Sequence, residues 1–145
     1  MKKTLLHILM HNGRLLQRAI GVELAPLGLH HGQGRILQVI SGCGEIIQAK
    51  LAQRMDIRPA TVTNMLKPLE ERRLIRRKTD RKTNRAMLVS LTPLGKRTCS
   101  EVLAAWERVE ARISKCVPAA ERDALFYNLE GIRSILGGEG PKELA

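Results

Sequence analysis

Apolar residues recur along this chain at intervals of three and four, the mark of helices that bury one stripe. In the first segment Leu5, Leu9, Leu16, Ile20 and Leu24 keep that spacing, and Leu6, Ile8 and Leu15 widen the stripe. The pattern predicts a helix with a broad apolar face, ended near Pro26 and Gly28. A second, shorter helix is predicted from His31 to Ile40, burying Ile36, Leu37 and Ile40 and stopping at Gly42 and Gly44. A third, from Glu45 to Met55, buries Ile47 and Leu51, with Ile46 at the edge of its face.

A fourth helix opens at Arg58-Pro59, since proline's missing amide costs nothing in a first turn. Val62, Met65, Leu66 and Leu69 share one face, so Ala60, Asn64 and Lys67 point the opposite way, with Thr61 and Thr63 on the flanks. Pro68 cannot donate to the Asn64 carbonyl, which predicts a local bend or a freed carbonyl there. Leu74-Ile75 ends the helical pattern. Arg76-Arg77-Lys78 and the run Ala86 to Leu91 then flank a polar segment, Thr79 to Arg85, and read as a β-hairpin with a basic tip. Thr92-Pro93 supplies an N-cap and a first-turn proline for a long fifth helix to about Cys116, with Val102, Leu103, Trp106, Val109 and Ile113 on one face. Beyond Pro118, Leu125, Leu129, Ile132 and Leu136 mark a sixth helix, and the tail after Gly137 is expected to fray.

Composition sharpens this picture. A chain of 145 residues suits one compact domain. Its only aromatics are Trp106, Phe126 and Tyr127, so the core must be aliphatic. The net charge of +11 is localised: from Lys50 to Arg97 fourteen Lys or Arg face four acids, a surplus of ten. Clustered cations release counterions from a phosphate backbone, so the clustering points to a polyanion partner. Cys43, Cys99 and Cys116 are odd in number and lack a CxxC, which indicates neither a disulfide framework nor a zinc finger and suits a reducing cytoplasm. His7, His11, Asn12 and Arg14 interrupt the N-terminal apolar run, so it reads as an amphipathic helix and not a signal peptide. No apolar run reaches membrane-spanning length. There is no Gly-rich phosphate loop, no metal-spaced carboxylate set and no nucleophile with an evident base, so no catalysis and no cofactor are expected.

Helix, tight turn, helix, then basic hairpin is the order of a winged helix-turn-helix, whose second helix enters the major groove of DNA. The expected fold is mainly α with a small β-hairpin wing, completed by N- and C-terminal dimerisation helices. The terminal helices carry wider apolar faces than a small lobe can cover, and a second copy of the chain is the simplest cover. Leu5, Leu9 and Leu16, with Leu125, Leu129, Ile132 and Leu136, are the candidates for that contact. The predicted organisation is one domain, 1–145. Residues 29–92 form the DNA-binding lobe, 93–117 a linking helix, and 1–28 with 118–145 the dimerisation helices.

Several stretches resemble the MarR family of bacterial regulators: Gln48-Ala49-Lys50-Leu51-Ala52, Ile57-Arg58-Pro59-Ala60-Thr61-Val62-Thr63, Leu69-Glu70, Leu74-Ile75-Arg76, and Leu88-Val89-Ser90-Leu91-Thr92-Pro93-Leu94-Gly95. The resemblance implies an obligate homodimer whose two lobes meet successive major grooves of a near-palindromic operator. On this reading Arg58, Ala60, Thr61, Thr63, Asn64 and Lys67 line the major-groove face. Arg77, Lys78, Arg81, Lys82 and Arg85 belong to the wing, whose tip follows the backbone or probes the minor groove. Arg72, Arg73, Arg76 and Arg77 sit where that helix passes into the wing, some as phosphate clamps and some as solvated charge.

Three residues depart from the family pattern. Thr83 stands where the family usually has an Asp two positions before the Arg matching Arg85, leaving the ion pair that normally braces the wing absent or supplied by Asp80. Arg73 replaces the Gly that usually ends the recognition helix, and Pro68 lies within that helix. The function implied is a sequence-specific transcriptional regulator of duplex DNA, a repressor released by a small-molecule effector that no residue here identifies. A constitutive or antisilencing DNA-binding regulator shares every feature. A winged helix used for protein contacts would not need the localised charge. The pair His7 and His11 has spacing to share an ion. Zinc-sensing relatives, however, use Glu-His where this chain has Gly34-Arg35, so no metal is expected.

Overall fold

The structure, a computed structural model, describes residues 3–138. Helix α1 (Leu5–Leu24) runs through a short 3-10 turn (Ala25–Leu27) towards α2 (His31–Cys43). Strand β1 (Glu45–Ile47) precedes α3 (Gln48–Met55) and α4 (Pro59–Glu71). Strands β2 (Ile75–Thr79) and β3 (Met87–Leu91) form the hairpin, and α5 (Pro93–Ser114) and α6 (Ala119–Ile135) complete the order. Contacts divide the chain into two compact units, residues up to Glu107 and residues from Arg108 onward. Most of the predicted frayed tail lies outside the described residues.

The first unit holds an aliphatic core in which Leu24, Ile36, Leu37, Ile40, Leu51, Val62, Leu66 and Leu69 are fully buried. These residues come from α1, α2, α3 and α4, and Val89 of β3 and Val102 of α5 join them. Trp106, the one aromatic at this core, packs on it half-buried. In the second unit α6 buries no residue of its own. Arg122 ties the start of α6 back to the end of α5, donating to the carbonyls of Ser114 at 2.9 Å and Val117 at 3.1 Å.

One element differs from the periodicity. The third helix starts at Gln48, because Glu45–Ile47 is an extended strand paired antiparallel with β3, Ile46 opposite Val89. Gly44, at φ 74, breaks away from α2, and two adjacent β-branched residues then favour the sheet, where Ile46 reaches the core. The sheet order is β1-β3-β2, with Ile75 opposite Leu91 and Thr79 opposite Met87. Pro68 lies inside α4 without ending it.

The turn from α4 into β2 follows the residue types. Arg73 N–H donates to Glu70 O at 2.8 Å and Leu74 N–H to Leu69 O at 2.9 Å, the paired bonds of a Schellman ending. Arg73 takes φ 57, the left-handed position that the sequence marked as unusual for an arginine. Leu74 and Leu69, both buried, supply the apolar contact that accompanies this motif.

Candidate nucleic-acid interface

Helix α4 buries Val62, Leu66 and Leu69 and leaves Pro59, Ala60, Thr63, Asn64 and Lys67 exposed, as its periodicity predicts. Thr61 is half-buried at the edge of that face. Arg58 precedes the helix as its N-cap residue, in extended conformation and with its side chain exposed. Its carbonyl accepts from the Thr61 and Val62 amides, so the cap is made by backbone and the guanidinium is left to solvent.

Thr63 is less available than its exposure suggests. Its hydroxyl donates to the Pro59 carbonyl at 3.1 Å and accepts from Gln48 Nε2 at 2.9 Å. Gln48 opens α3, so this bond locks the two helices of the helix-turn-helix together. Its other amide atom, Oε1, is buried without a hydrogen-bond partner among the described residues. Thr63 therefore offers its methyl group more freely than its hydroxyl, whereas Asn64 and Lys67 have no such internal commitment among the described residues.

The cations of the wing divide into two sets. At its root, Arg77 donates from Nε to Glu70 Oε2 at 2.8 Å, pairing β2 with α4. Lys78 Nζ lies 3.0 Å from Glu45 Oε2, pairing β2 with β1 across β3. Arg77 and Lys78, both predicted as wing contacts, are thus held by carboxylates. At the tip, Arg81, Lys82 and Arg85 are exposed and in no ion pair among the described residues. The tip is braced by hydrogen bonds and not by a salt bridge. Asp80 accepts from the Lys82 amide at 3.1 Å and the Thr83 hydroxyl at 3.3 Å, and that hydroxyl accepts from the Ala86 amide at 3.3 Å. Thr83 and Asp80 together do the bracing, so the tip cations keep their charge unneutralised.

At the junction, Arg72 gives its guanidinium to the carbonyls of Leu27 and Gly28, while Arg73 and Arg76 stay exposed and in no ion pair among the described residues. Sequence reasoning could not separate these arginines, because their partners lie far along the chain. The pairs Glu70–Arg77 and Glu45–Lys78 are likewise contacts across elements with no local spacing signal.

The model of the MarR family matches residues 29–86, from the end of the turn after α1 to the tip of the wing. Over that stretch the chain is similar to the MarR family. Among its relatives is an uncharacterised HTH-type transcriptional regulator of Bacillus subtilis, YdgJ, 29% identical over 120 residues, or 82% of this chain and 73% of that protein. The fold is shared with the S. aureus MepR–DNA complex, with a TM-score of 0.86 at 20% identity, covering 92% of this chain and 98% of that one. It is shared too with a mutant E. coli MarR complexed with operator DNA, with a TM-score of 0.76 at 22% identity, covering 90% and 99% of the two chains. MarR proteins are transcription regulators built on a winged helix, and the helices and small antiparallel sheet of this chain follow that plan.

The predicted dimerisation residues are apolar and open to solvent in the single chain. Leu5 and Leu16 on α1 are exposed, with Leu9 half-buried, and on α6 Leu125 and Leu129 are exposed, with Ile132 half-buried and the C-cap residue Leu136 exposed. Among the described residues no group of three or more His, Cys, Asp or Glu is placed to hold a metal ion. Within the same residues no helix is long and apolar enough to cross a membrane.

Proposed function

We propose that this protein is a sequence-specific regulator of transcription that binds duplex DNA as a homodimer. Arg58, Ala60, Thr61, Thr63, Asn64 and Lys67 of the recognition helix face the major groove, and Arg81, Lys82 and Arg85 carry the wing onto the flanking backbone or minor groove. The observation that carries this reading is the sorting of charge. Cations at the root of the wing are neutralised by Glu70 and Glu45, whereas those at its tip and on the open face of α4 are left bare. Bare, clustered cations beside short polar side chains match phosphates flanking base edges.

The apolar faces of α1 and of α6 support the homodimer, since exposed leucines at helical spacing gain most by meeting a second copy. Two copies related by a two-fold axis would read a near-palindromic operator, each lobe in one half-site. Similarity to the MarR family over residues 29–86 supports the further reading that the protein is a cytoplasmic repressor released by a small-molecule effector. Three free thiols suit that compartment.

The test is binding to the protein's own promoter DNA, titrated at several salt concentrations. A protected near-palindrome and a steep fall of affinity with salt are expected. Absence of any sequence preference at every salt concentration would sink the proposal.

A further inference from the structure

One side chain fastens the recognition helix to the connection between α1 and α2. Arg72 is the C-cap residue of α4, and its Nη1 donates to the Gly28 carbonyl at 2.9 Å while Nη2 donates to the Leu27 carbonyl at 2.7 Å. Two successive carbonyls can meet one planar fork because Gly28 adopts φ 64, in the left-handed region that glycine enters without steric cost. The approach is close, since a Cβ on Gly28 would lie 3.4 Å from Arg72 Nη1.

A second contact joins the recognition helix to the start of α2. A Cβ on Gly32, in the first turn of α2, would lie 3.2 Å from both Met65 Cε and His30 Cε1. The recognition helix therefore meets this part of the chain at two points about two turns apart, Met65 against the start of α2 and Arg72 against the α1–α2 connection. Two points of attachment along one helix set its direction as well as its position.

A guanidinium held by main-chain carbonyls differs from the solvated arginines beside it. Its partners are neutral, so its charge survives, but its fork is committed to the protein. We propose that Arg72 is a positioning residue for DNA recognition, fixing the direction of α4 through the Leu27 and Gly28 carbonyls without clamping a phosphate. Through it, movement of the α1–α2 connection reaches the helix that reads bases. This inference rests on the proposed DNA-binding function.

The two roles separate in binding data. A phosphate clamp contributes equally to every sequence and to the salt dependence; a positioning residue contributes to the preferred sequence alone. The full chain carrying Arg72→Ala is titrated with operator and with a scrambled duplex across a salt series, after a thermal melt establishes that it is folded. Operator binding should weaken about tenfold, the scale of one to two hydrogen bonds. Binding to the scrambled duplex and the salt slope should stay as in the wild type. A uniform loss on both duplexes, with a slope shallower by about one, would overturn the proposal.

Arg72→Lys keeps the charge but not the planar fork, and serves where the alanine variant does not fold. It should still lose preference for operator over scrambled duplex, and wild-type preference in this variant would also overturn the proposal. A wild-type protein with no operator preference would refute the function itself, and this inference with it.

Discussion

A Cβ on Gly95 would stand 1.8 Å from the carbonyl oxygen of Leu74. Gly95 lies in the first turn of α5 and Leu74 just before β2, and Thr92 joins them. The Thr92 hydroxyl accepts from the Gly95 amide at 2.9 Å as the cap of α5, and also donates to the Arg73 carbonyl at 2.6 Å. The Thr92 amide donates to Leu74 O at 3.1 Å, so the start of α5 is pressed against the end of the recognition helix.

Gly95→Ala should therefore be strongly destabilising. The obstacle is backbone, which cannot rotate away as a side chain can, so the cost should reach or exceed the upper part of the overpacking range of about 1–3 kcal/mol. Urea unfolding measures it, with the midpoint falling and the slope unchanged. A midpoint equal to the wild type would show that the two elements can separate freely.

Arg73→Gly should have the opposite effect. Among the described residues Asp56, Arg73 and Asn84 are the non-glycine residues at positive φ, and Asp and Asn tolerate that region better than other side chains. Arginine has no such compensation. Removing its Cβ strain, less the entropy glycine gains on unfolding, should raise stability by about 0.5–1 kcal/mol. A lowered melting temperature would contradict the strain assigned to this position.

Both positions show how much of this molecule was legible before its structure. The face of α4 was readable because Val62, Leu66 and Leu69 leave Ala60, Asn64 and Lys67 only one direction to point. Thr92-Pro93 announced the start of α5, and the cap is made by Thr92. Strand β1 was hidden because Ile46 and Ile47 fit a helix stripe and a short strand equally well, and the choice lies in pairing with Val89 and Leu88, far along the chain. The wing brace was half visible: Asp80 was foreseen as the substitute for a missing acid, but acting through the Thr83 hydroxyl and the Lys82 amide and not through an ion pair. The fates of Arg72, Arg77 and Lys78 were illegible for the same reason as β1, since their partners are tertiary.

Asn64→Ala and Arg85→Ala should fail in different ways. Asn64 is exposed on the open face of α4, where its amide can pair with a base edge, so its loss should cost about 1–3 kcal/mol at particular base pairs. Arg85 is an exposed cation at the wing, in no ion pair among the described residues, so its loss should weaken all sequences alike and reduce the salt slope by about one. Competition binding against a panel of single-base operator variants separates the two. Identical sequence profiles for both variants would refute this division of labour.

The cap of α2 should make stability depend on pH. His30 Nδ1 accepts from the Gln33 amide at 3.4 Å while Gln33 Oε1 accepts from the His30 amide at 3.2 Å, a reciprocal capping box. Burial of the ring, and secondarily the neighbouring His31, hold the His30 pKa below its ordinary value of 6.5. The Nδ1 and Cε1 edge of the ring lies over Gly32, although the residue as a whole stays open to solvent. A protonated ring cannot accept at Nδ1, so the charged form loses the cap. Because the folded pKa is depressed, the unfolded chain takes up the proton first as pH falls. The contribution is full above 6.5 and is lost progressively as pH drops through the folded value. Urea midpoints measured from pH 8 to pH 5 should decline for the wild type beyond the change seen in His30→Asn, whose side chain caps without titrating. Parallel declines in the two proteins would show that the pH dependence originates elsewhere than in this cap.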